Sequence, residues 1–352
     1  MLRESIVDCI GRTPLVRLRL GPDERRREVS AGVVWAKLEL LNPYGMKDRA
    51  AKNIILEAKR TGVLADGAPI VESSSGTMAL GVAVVGAYLG HEVHIVTDPR
   101  IDPMTLAKLE ALGCRIHVVD RMGSHGWQSA RLERLSELMA GLPGSFWPRQ
   151  YDNPDNPRAY AELARELLED LGRVDVLVGS VGSGGSLCGS ARELRREGPG
   201  PRVVAVDAVG SVLFGQPDHP ARLQGGLGNS LLPGNVDHSL IDEVHWLSDE
   251  EAFNATLELA RDEKIVAGNS SGSVYAVARW LAGRVSSGTN IVAILPDRGD
   301  RYFRTLYSPD YWVERGLRRR PLPECPRRVS LGAVVDSWSW AVLDADGRRD
   351  HG

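Results

Sequence analysis

Short apolar runs alternate with amphipathic stretches along most of the chain. The runs predict buried strands at 33–40, 68–72, 94–97, 115–119, 174–179, 203–207 and 291–295. The stretches between them carry apolar residues at helical spacing, at 50–60, 80–89, 104–112, 159–171 and 250–262. Strands that alternate with helices indicate βαβ units, so the pattern predicts an α/β fold with parallel sheet and with ligand groups at the carboxyl ends of the strands.

Two stretches break this alternation. A Pro- and Asn-rich segment at 147–157 predicts a crossing between two domains near mid-chain. After about Gly316, a basic, Pro-rich stretch at 317–323 leads into an apolar piece at 329–343. The tail 316–352 is therefore predicted to be an appended arm that packs on the body or on a partner subunit, and its composition does not indicate a role.

Composition excludes several classes of protein. The 352 residues are 43% hydrophobic and 25% charged, which is typical of a globular protein long enough for two domains. A net charge of -3 argues against nucleic acid as a partner. The four cysteines form no C-x-x-C pair and have no neighbouring His, so we expect reduced thiols and no metal site. The chain lacks an apolar signal region and a run of membrane-spanning length, so we expect a cytoplasmic protein with no membrane partner.

Lysine is rare in this chain. Only six of the 43 basic residues are lysines, and one of them, Lys47, stands at a predicted strand-to-helix junction. Arginine stays protonated and cannot form an imine, whereas a partly desolvated lysine can lose its proton and attack a carbonyl. Lys47 is therefore a Schiff-base candidate, and the alternative is a solvated lysine at a helix start.

Three turns rich in Gly or Ser connect predicted strands to helices. The turn at 182–186 suits a phosphate through its backbone N–H groups, although it is neither a Walker A loop nor a G-x-G-x-x-G fingerprint. The turns at 72–79 and 267–273 suit a carboxylate or another small anion. Each could instead be only a tight turn or an N-cap. Together with one amine, the three turns match the needs of a phosphorylated aldehyde cofactor that forms an imine with lysine.

The same segments, in the same order, resemble the cysteine synthase and cystathionine β-synthase family of pyridoxal-phosphate enzymes. The resemblance runs from about residue 5 to 312 and is carried by Thr13-Pro14, Asn42-Pro43, Lys47-Asp48-Arg49, Ser74-Ser75-Gly76, Asn153-Pro154, Gly182 to Ser186, Gly226-Leu227-Gly228, Gly268 to Gly272 and Pro296 to Tyr302. It implies pyridoxal 5'-phosphate as the cofactor and fold type II, in which two domains, each a mostly parallel twisted sheet flanked by helices, enclose the cofactor cleft. The implied larger domain, 1–40 plus 149–315, binds the cofactor phosphate, and the smaller one, 41–148, binds the substrate carboxylate and carries Lys47.

The resemblance also implies roles for single residues. Lys47 holds the cofactor as an imine and then removes the substrate α-proton. The cofactor contacts are Thr77, Ser270 at the pyridine nitrogen, and the phosphate loop of Gly182, Ser183, Gly184, Gly185 and Ser186. The substrate contacts are Ser74, Ser75, Gly76, Met78, Gln150 and Gly226. A neutral hydroxyl at Ser270 implies an unprotonated ring nitrogen, which is a weaker electron sink.

Two residues depart from the family pattern. Thr77 stands where the family usually has Asn, and Met78 stands where it usually has Thr. The first change shortens the side chain that reaches the phenolic oxygen of the cofactor, and the second removes a hydroxyl from the carboxylate site. Both changes indicate either a specialised substrate or impaired activity.

The segments 72–76, 209–215 and 296–302 resemble the branch that makes 2,3-diaminopropionate precursors. The expected function is a β-replacement synthase that converts O-acetylserine or O-phosphoserine to an aminoacrylate and adds an amine or thiol, in secondary metabolism. The alternatives are a cysteine synthase or β-eliminating lyase, and a degenerate cofactor-binding or interaction protein without turnover. Arg222 is the candidate cation for a phosphate leaving group, unless it is a solvated loop residue. The implied partners are small amino-acid substrates and a second copy of the chain in a homodimer.

Overall fold

Parallel strands and the helices that connect them form most of the structure. The computed structural model describes residues 2–20, 32–123 and 126–343. Within those ranges the strands are β1 (Leu15–Arg17), β2 (Val33–Lys37), β3 (Ile70–Ser73), β4 (Val93–Thr97), β5 (Arg115–Val118), β6 (Val176–Ser180), β7 (Arg202–Ala208), β8 (Glu243–Leu247), β9 (Asn290–Ile294), β10 (Arg327–Arg328) and β11 (Ser339–Val342).

Amphipathic helices cover these strands. They are α1 (Lys47–Arg60), α2 (Thr77–Tyr88), α3 (Pro103–Ala111), α4 (Gly126–Gly141), α5 (Asp155–Arg158), α6 (Ala161–Leu171), α7 (Gly185–Glu197), α8 (Asp249–Glu263), α9 (Asn269–Ala282) and α10 (Pro309–Glu314). In α1 the apolar residues Ala50, Ala51, Ile54, Ile55 and Ala58 are buried, because their spacing places them on one face of the helix. Within the described ranges, no helix combines the length and the apolar character needed to cross a membrane.

The strands form two sheets. The larger has the order β1-β2-β9-β6-β7-β8-β11-β10, and its central strands, from β2 to β8, are all parallel. The smaller sheet, β3-β4-β5, is parallel throughout. The prediction of an α/β fold with mostly parallel sheets is confirmed. The smaller sheet lies within 41–148, and the exact domain boundaries stay a prediction.

All seven predicted strands form, with ends that differ by a few residues. The predicted strand 33–40 is shorter than expected because Glu39–Leu41 form a 3-10 turn after β2. The alternating pattern did not predict β8, whose residues are all buried although two of them are polar. These two, Glu243 and His245, hydrogen-bond each other at 2.7 Å. Because these two polar residues interrupt the apolar residues of β8, the sequence there does not show the continuous apolar run that predicts a buried strand.

The C-terminal arm packs on the body of the protein. β11 pairs antiparallel with β8 and so extends the larger sheet. The Trp338 backbone N–H donates to Glu251 Oε1 at 2.9 Å, and its indole Nε1 donates to His245 Nδ1 at 3.1 Å. The end of the predicted arm, 344–352, and the part 21–31 of the predicted larger domain lie outside the described residues.

Candidate active site

A cavity of about 270 Å³ opens where strands of both sheets end. β3 of the smaller sheet ends at Ser73, and β6 of the larger sheet ends at Ser180. The turns that follow these two strands both contribute to the cavity wall. Because the carboxyl ends of parallel strands are where α/β proteins bind ligands, this cavity is the candidate active site.

Lys47 is the first residue of α1, and it lines the cavity. Its Nζ donates a hydrogen bond to Ser183 Oγ at 2.9 Å. Burial lowers the pKa of Lys47 from 10.5 to about 8. A lysine with this pKa holds far more free amine at neutral pH than an ordinary lysine, and the free amine is the form that attacks a carbonyl or accepts a proton.

Buried charges fix the first turn of α1. The Arg49 guanidinium bonds both carboxylate oxygens of Glu39 and both of Glu166, at 2.7 to 2.9 Å. On the other side of the turn, Asp48 Oδ2 accepts the backbone N–H of Tyr44 at 2.7 Å. Charge-assisted bonds of this kind are short and directional. They therefore hold the start of α1, and with it Lys47, in one position.

The turn after β6 approaches its neighbours too closely for larger residues. Gly184 has a φ of +80°, and a Cβ there would lie 2.6 Å from the Asn235 carbonyl oxygen. A Cβ on Gly185 would lie 2.1 Å from Asn156 Oδ1. Since α7 begins at Gly185, the backbone N–H groups of its first turn have no partner in the preceding turn. The sequence of this turn therefore builds a helix N-terminus that suits a phosphate.

The buried carboxyl group of Glu72 forms a hydrogen bond at the start of the Ser-rich turn after β3. Glu72 Oε1 accepts the Ser73 backbone N–H at 2.9 Å, and Ser74 Oγ accepts the Gly76 N–H at 3.2 Å. Burial raises the pKa of Glu72 to about 8. α2 starts directly after this turn, at Thr77, so its N-terminal dipole adds to the attraction for a carboxylate at the cavity.

Two arginines line the cavity that the sequence did not single out. Arg131 Nη1 donates to Ser75 Oγ at 3.0 Å and pairs with Asp98 at 3.2 Å, while its Nε is buried without a partner among the described residues. The Arg301 guanidinium lies over the Tyr302 ring at 5.2 Å and, within the described part of the chain, forms no ion pair. Both guanidinium groups therefore line the cavity, and Arg131 bonds the Ser-rich turn directly.

The structure does not support Arg222 as the candidate cation for a phosphate leaving group, nor as a solvated loop residue, since its side chain is only 11% exposed. Its guanidinium donates to the Gly210 carbonyl oxygen, to Asp218 Oδ1 at 3.0 Å and to Ser230 Oγ at 3.0 Å. These bonds use the guanidinium within its own loop, and Arg222 is not part of the cavity wall. Arg131 takes its place as the candidate cation.

The structure brings most of the predicted site residues to one cavity. Those that line it are Lys47, Ser74, Ser75, Gly76, Thr77, Met78, Gln150, Gly182, Ser183, Gly226 and Ser270. The rest of the predicted phosphate loop, Gly184 to Ser186, is not in the wall and stands at the start of α7. Sequence reasoning missed Arg131 and Tyr151, which carry no motif of their own. Asp297 and Arg301 were also missed, although both stand in the quoted segment 296–302.

The comparisons with known proteins agree on one family. The family model described as "Pyridoxal-phosphate dependent enzyme" matches residues 6–297. The chain is 42% identical over 322 residues to an N-(2-amino-2-carboxyethyl)-L-glutamate synthase of Ralstonia nicotianae, covering 90% of this chain and 92% of the relative. It is 39% identical to the synthase of the same name from Cupriavidus metallidurans, covering 95% and 98% of the two chains.

A solved structure shows the same fold. An O-acetylserine-dependent cystathionine β-synthase from Helicobacter pylori superposes with a TM-score of 0.79 at 30% sequence identity, covering 87% of this chain and 98% of that one. The fold-type II architecture implied by the resemblance is thus confirmed.

Proposed function

The chain belongs to the family of pyridoxal-phosphate-dependent enzymes that carry out β-replacement, and on that premise we propose that it joins an O-activated L-serine to the amine of an acidic amino acid. The observation that carries this proposal is the Arg131 guanidinium, which lines the same cavity as Lys47. An arginine guanidinium forms strong, often bidentate hydrogen bonds with a phosphate, whereas an acetyl group offers it no negative charge.

The residues of the cavity fit pyridoxal phosphate. Lys47 is the one lysine among the described residues of the wall, and its partly neutral amine suits the aldehyde. The tight turn Gly182 to Ser186 at the start of α7 suits the phosphate, and Ser270 and Thr77 suit the ring. When bound, the cofactor supplies an electron sink that makes the α-proton of an amino acid acidic.

The chain's own residues supply the remaining chemistry. The Ser74 and Ser75 hydroxyls, the N-terminus of α2 and Gln150 would bind the substrate carboxylate. Lys47, once released from the cofactor, would remove the α-proton. Arg131 would bind the departing phosphate, since its Nε has no partner in the described structure. A second amino acid would then enter beside Arg301, which is also unpaired there.

The names of the relatives support an amino acid as the nucleophile. Two relatives are named for a product that joins a serine-derived unit to L-glutamate, which supports glutamate as the nucleophile here. Sulfur chemistry on O-acetylserine, as the name of the solved relative indicates, is the second candidate. Thr77 and Met78 line the cavity in place of the usual pair, so specialised substrate use is the reading we favour over impaired activity. A role in secondary metabolism and a homodimer stay predictions.

A matrix of substrates tests the proposal. Purified protein with cofactor is mixed with O-phospho-L-serine or O-acetyl-L-serine, each in combination with L-glutamate, sulfide or ammonia, and products are identified by mass spectrometry. We expect the glutamate adduct and phosphate from O-phosphoserine. A preference for sulfide would identify a cysteine synthase, and absence of product from every mixture, with Lys47→Ala as the blank, would support the degenerate alternative.

The pKa of Lys47 gives a pH-dependent prediction. In cofactor-free protein the rate of yellow colour formation with added pyridoxal phosphate should rise with pH and level off above about pH 8, because only the neutral amine reacts. Nα-acetyl-lysine, with an ordinary amine, serves as the control and should keep accelerating to much higher pH. A protein profile that follows the free amino acid would show that Lys47 is not desolvated.

A further inference from the structure

A buried carboxyl group lies directly behind Ser270. Ser270 Oγ donates a hydrogen bond to Asp297 Oδ1 at 3.4 Å, and the Tyr302 hydroxyl donates to Asp297 Oδ2 at 2.7 Å. Both Ser270 and Asp297 line the cavity, and all three residues are buried. The sequence predicts an isolated neutral hydroxyl at Ser270, whereas in the structure this hydroxyl is hydrogen-bonded to the carboxyl group of Asp297.

The backbone is shaped to allow this contact. A Cβ on Gly268 would lie 2.2 Å from Asp297 Oδ1 and 2.7 Å from the Tyr302 ring. Any residue other than glycine there would displace the carboxyl group from Ser270. The Gly268 N–H also donates to the Asp297 backbone carbonyl at 3.0 Å, which ties the two segments together. A glycine at position 268 therefore leaves the space that the Asp297 side chain needs to reach the start of α9.

The groups around Asp297 decide its charge. Burial raises the pKa of Asp297, and Asp300 adds to that effect, whereas the Arg301 charge and the hydrogen bonds from Tyr302 and Ser270 oppose it. Burial and the neighbouring Asp297 also raise the pKa of Tyr302 well above its usual value, so Tyr302 stays a protonated donor. The net direction of the Asp297 pKa shift is upward, with burial as the largest cause, but both carboxyl oxygens accept a hydroxyl proton, from Ser270 and from Tyr302, which is the pattern of a carboxylate.

A serine hydroxyl has one proton to donate and lone pairs that accept. In this structure the Ser270 proton is directed at Asp297, so its lone pairs remain for a group in the cavity. We propose that Asp297 is a positioning residue that takes the hydroxyl proton of Ser270, so that Ser270 accepts a hydrogen bond from a protonated pyridine nitrogen of the cofactor. This inference rests on the proposed function, because that function places the cofactor ring at Ser270.

The consequence reverses the expectation from sequence. A lone serine that donates its proton leaves the ring nitrogen neutral, whereas a serine that accepts, backed by a carboxylate, favours the cationic nitrogen. A cationic ring nitrogen withdraws electrons more strongly. The chain would then combine the serine of its family with the electronic effect of a carboxylate.

Nitrogen-15 NMR tests the inference without relying on activity. Cofactor-free protein is loaded with pyridoxal phosphate labelled at the ring nitrogen, and the resonance is followed as a function of pH. We expect the upfield signal of a protonated nitrogen in the unaltered protein at neutral pH. In Asp297→Asn the pKa of that nitrogen should fall by about 1–3 units, because a nearby opposite charge has been removed.

Tyr302→Phe is the matched control. It removes one hydrogen bond that lowers the pKa of Asp297 but keeps the carboxyl group and its contact with Ser270, so the pKa of the nitrogen should fall less than in Asp297→Asn. A neutral nitrogen in the unaltered protein, or an unchanged pKa in Asp297→Asn, would overturn the inference. Borohydride reduction and peptide mapping of Lys47 are done on the same samples. A cofactor that is not attached to Lys47 would count against the proposed function. Failure of the proposed function is thus distinguished from failure of the inference about Asp297.

Discussion

Lys47→Ala is expected to abolish the covalent attachment of the cofactor and to lower kcat by about 10²–10⁴-fold from the loss of the base alone. Lys47 lines the cavity at the start of α1, and no other lysine of the described wall can replace it. The effect is measured as loss of the yellow colour that borohydride fixes to the protein, and as turnover of O-phosphoserine in cofactor-supplemented assays. A small primary amine added to the variant should restore part of the turnover, since it replaces the missing base.

Lys52→Ala provides the matched control on the same helix. Among the residues that the structure describes, its Nζ bonds only the Ile10 carbonyl oxygen, at 3.5 Å, and it is not part of the cavity wall. Colour and turnover should therefore be close to those of the unaltered protein. If Lys47→Ala kept a borohydride-stable link at another lysine, the assignment of the amine would be wrong.

Arg131→Met is expected to act selectively on the phosphorylated substrate. Loss of a buried charge-assisted contact costs about 2 kcal/mol or more, which corresponds to a loss of at least about 30-fold in kcat/KM for O-phosphoserine. O-acetylserine carries no phosphate, so its kcat/KM should change much less. The measurement is the ratio of the two kcat/KM values, because this ratio cancels any loss of active protein.

Arg100→Met is the matched control, because Arg100 shares the ion pair with Asp98 but does not line the cavity. Arg100 also binds Asp98, with Nε to Oδ1 at 2.9 Å, but its side chain is 60% exposed and does not reach the cavity. The substrate ratio should stay unchanged in this variant. An equal fall for both substrates in Arg131→Met would show that Arg131 acts through Ser75, by holding the turn, and not by binding phosphate.

Local signals predicted the amine and the turns of this site because each depends on residues that are neighbours in sequence. Lys47 and the turn Gly182 to Ser186 stand where a strand passes into a helix, and such junctions lie at the ligand edge of a parallel sheet. Their convergence on one cavity then follows from the order of the strands. The pattern of hydrophobic positions, which locates the strands and helices, is therefore sufficient to place Lys47 and the Gly-rich turn at the ligand edge of the sheets.

The cations of the site could not be predicted in the same way. Arg131 stands on α4, a helix that the periodicity did not indicate, and Asp98 at the end of β4 directs it toward the cavity. That contact joins two elements far apart in sequence. Arg222 was chosen for its closeness to Gly226 along the chain, but the loop folds its guanidinium back on itself. Nearness in sequence was a poor guide to side-chain direction.

The role of Asp297 depends on a similar convergence. The segment that holds it was quoted for its likeness to the family and to one branch of it, with no role for Asp297, and the contact with Ser270 exists because Gly268 leaves room for the carboxyl group. Such a relation among three residues has no signature in a linear pattern. It becomes visible only when the start of α9 and the end of β9 are seen side by side.

The strand order of the larger sheet sets when the site can form during synthesis. β2 pairs with β9, near the opposite end of the chain, whereas β3, β4 and β5 complete their sheet within one continuous segment. Domains form as the ribosome releases them, and pairings between distant segments must wait. A nascent chain therefore carries Lys47 and the Ser-rich turn long before Ser270 and Asp297 exist. We therefore expect cofactor capture only after β9 has been made, because a ribosome stalled ahead of β9 would hold Lys47 without the burial that lowers its pKa.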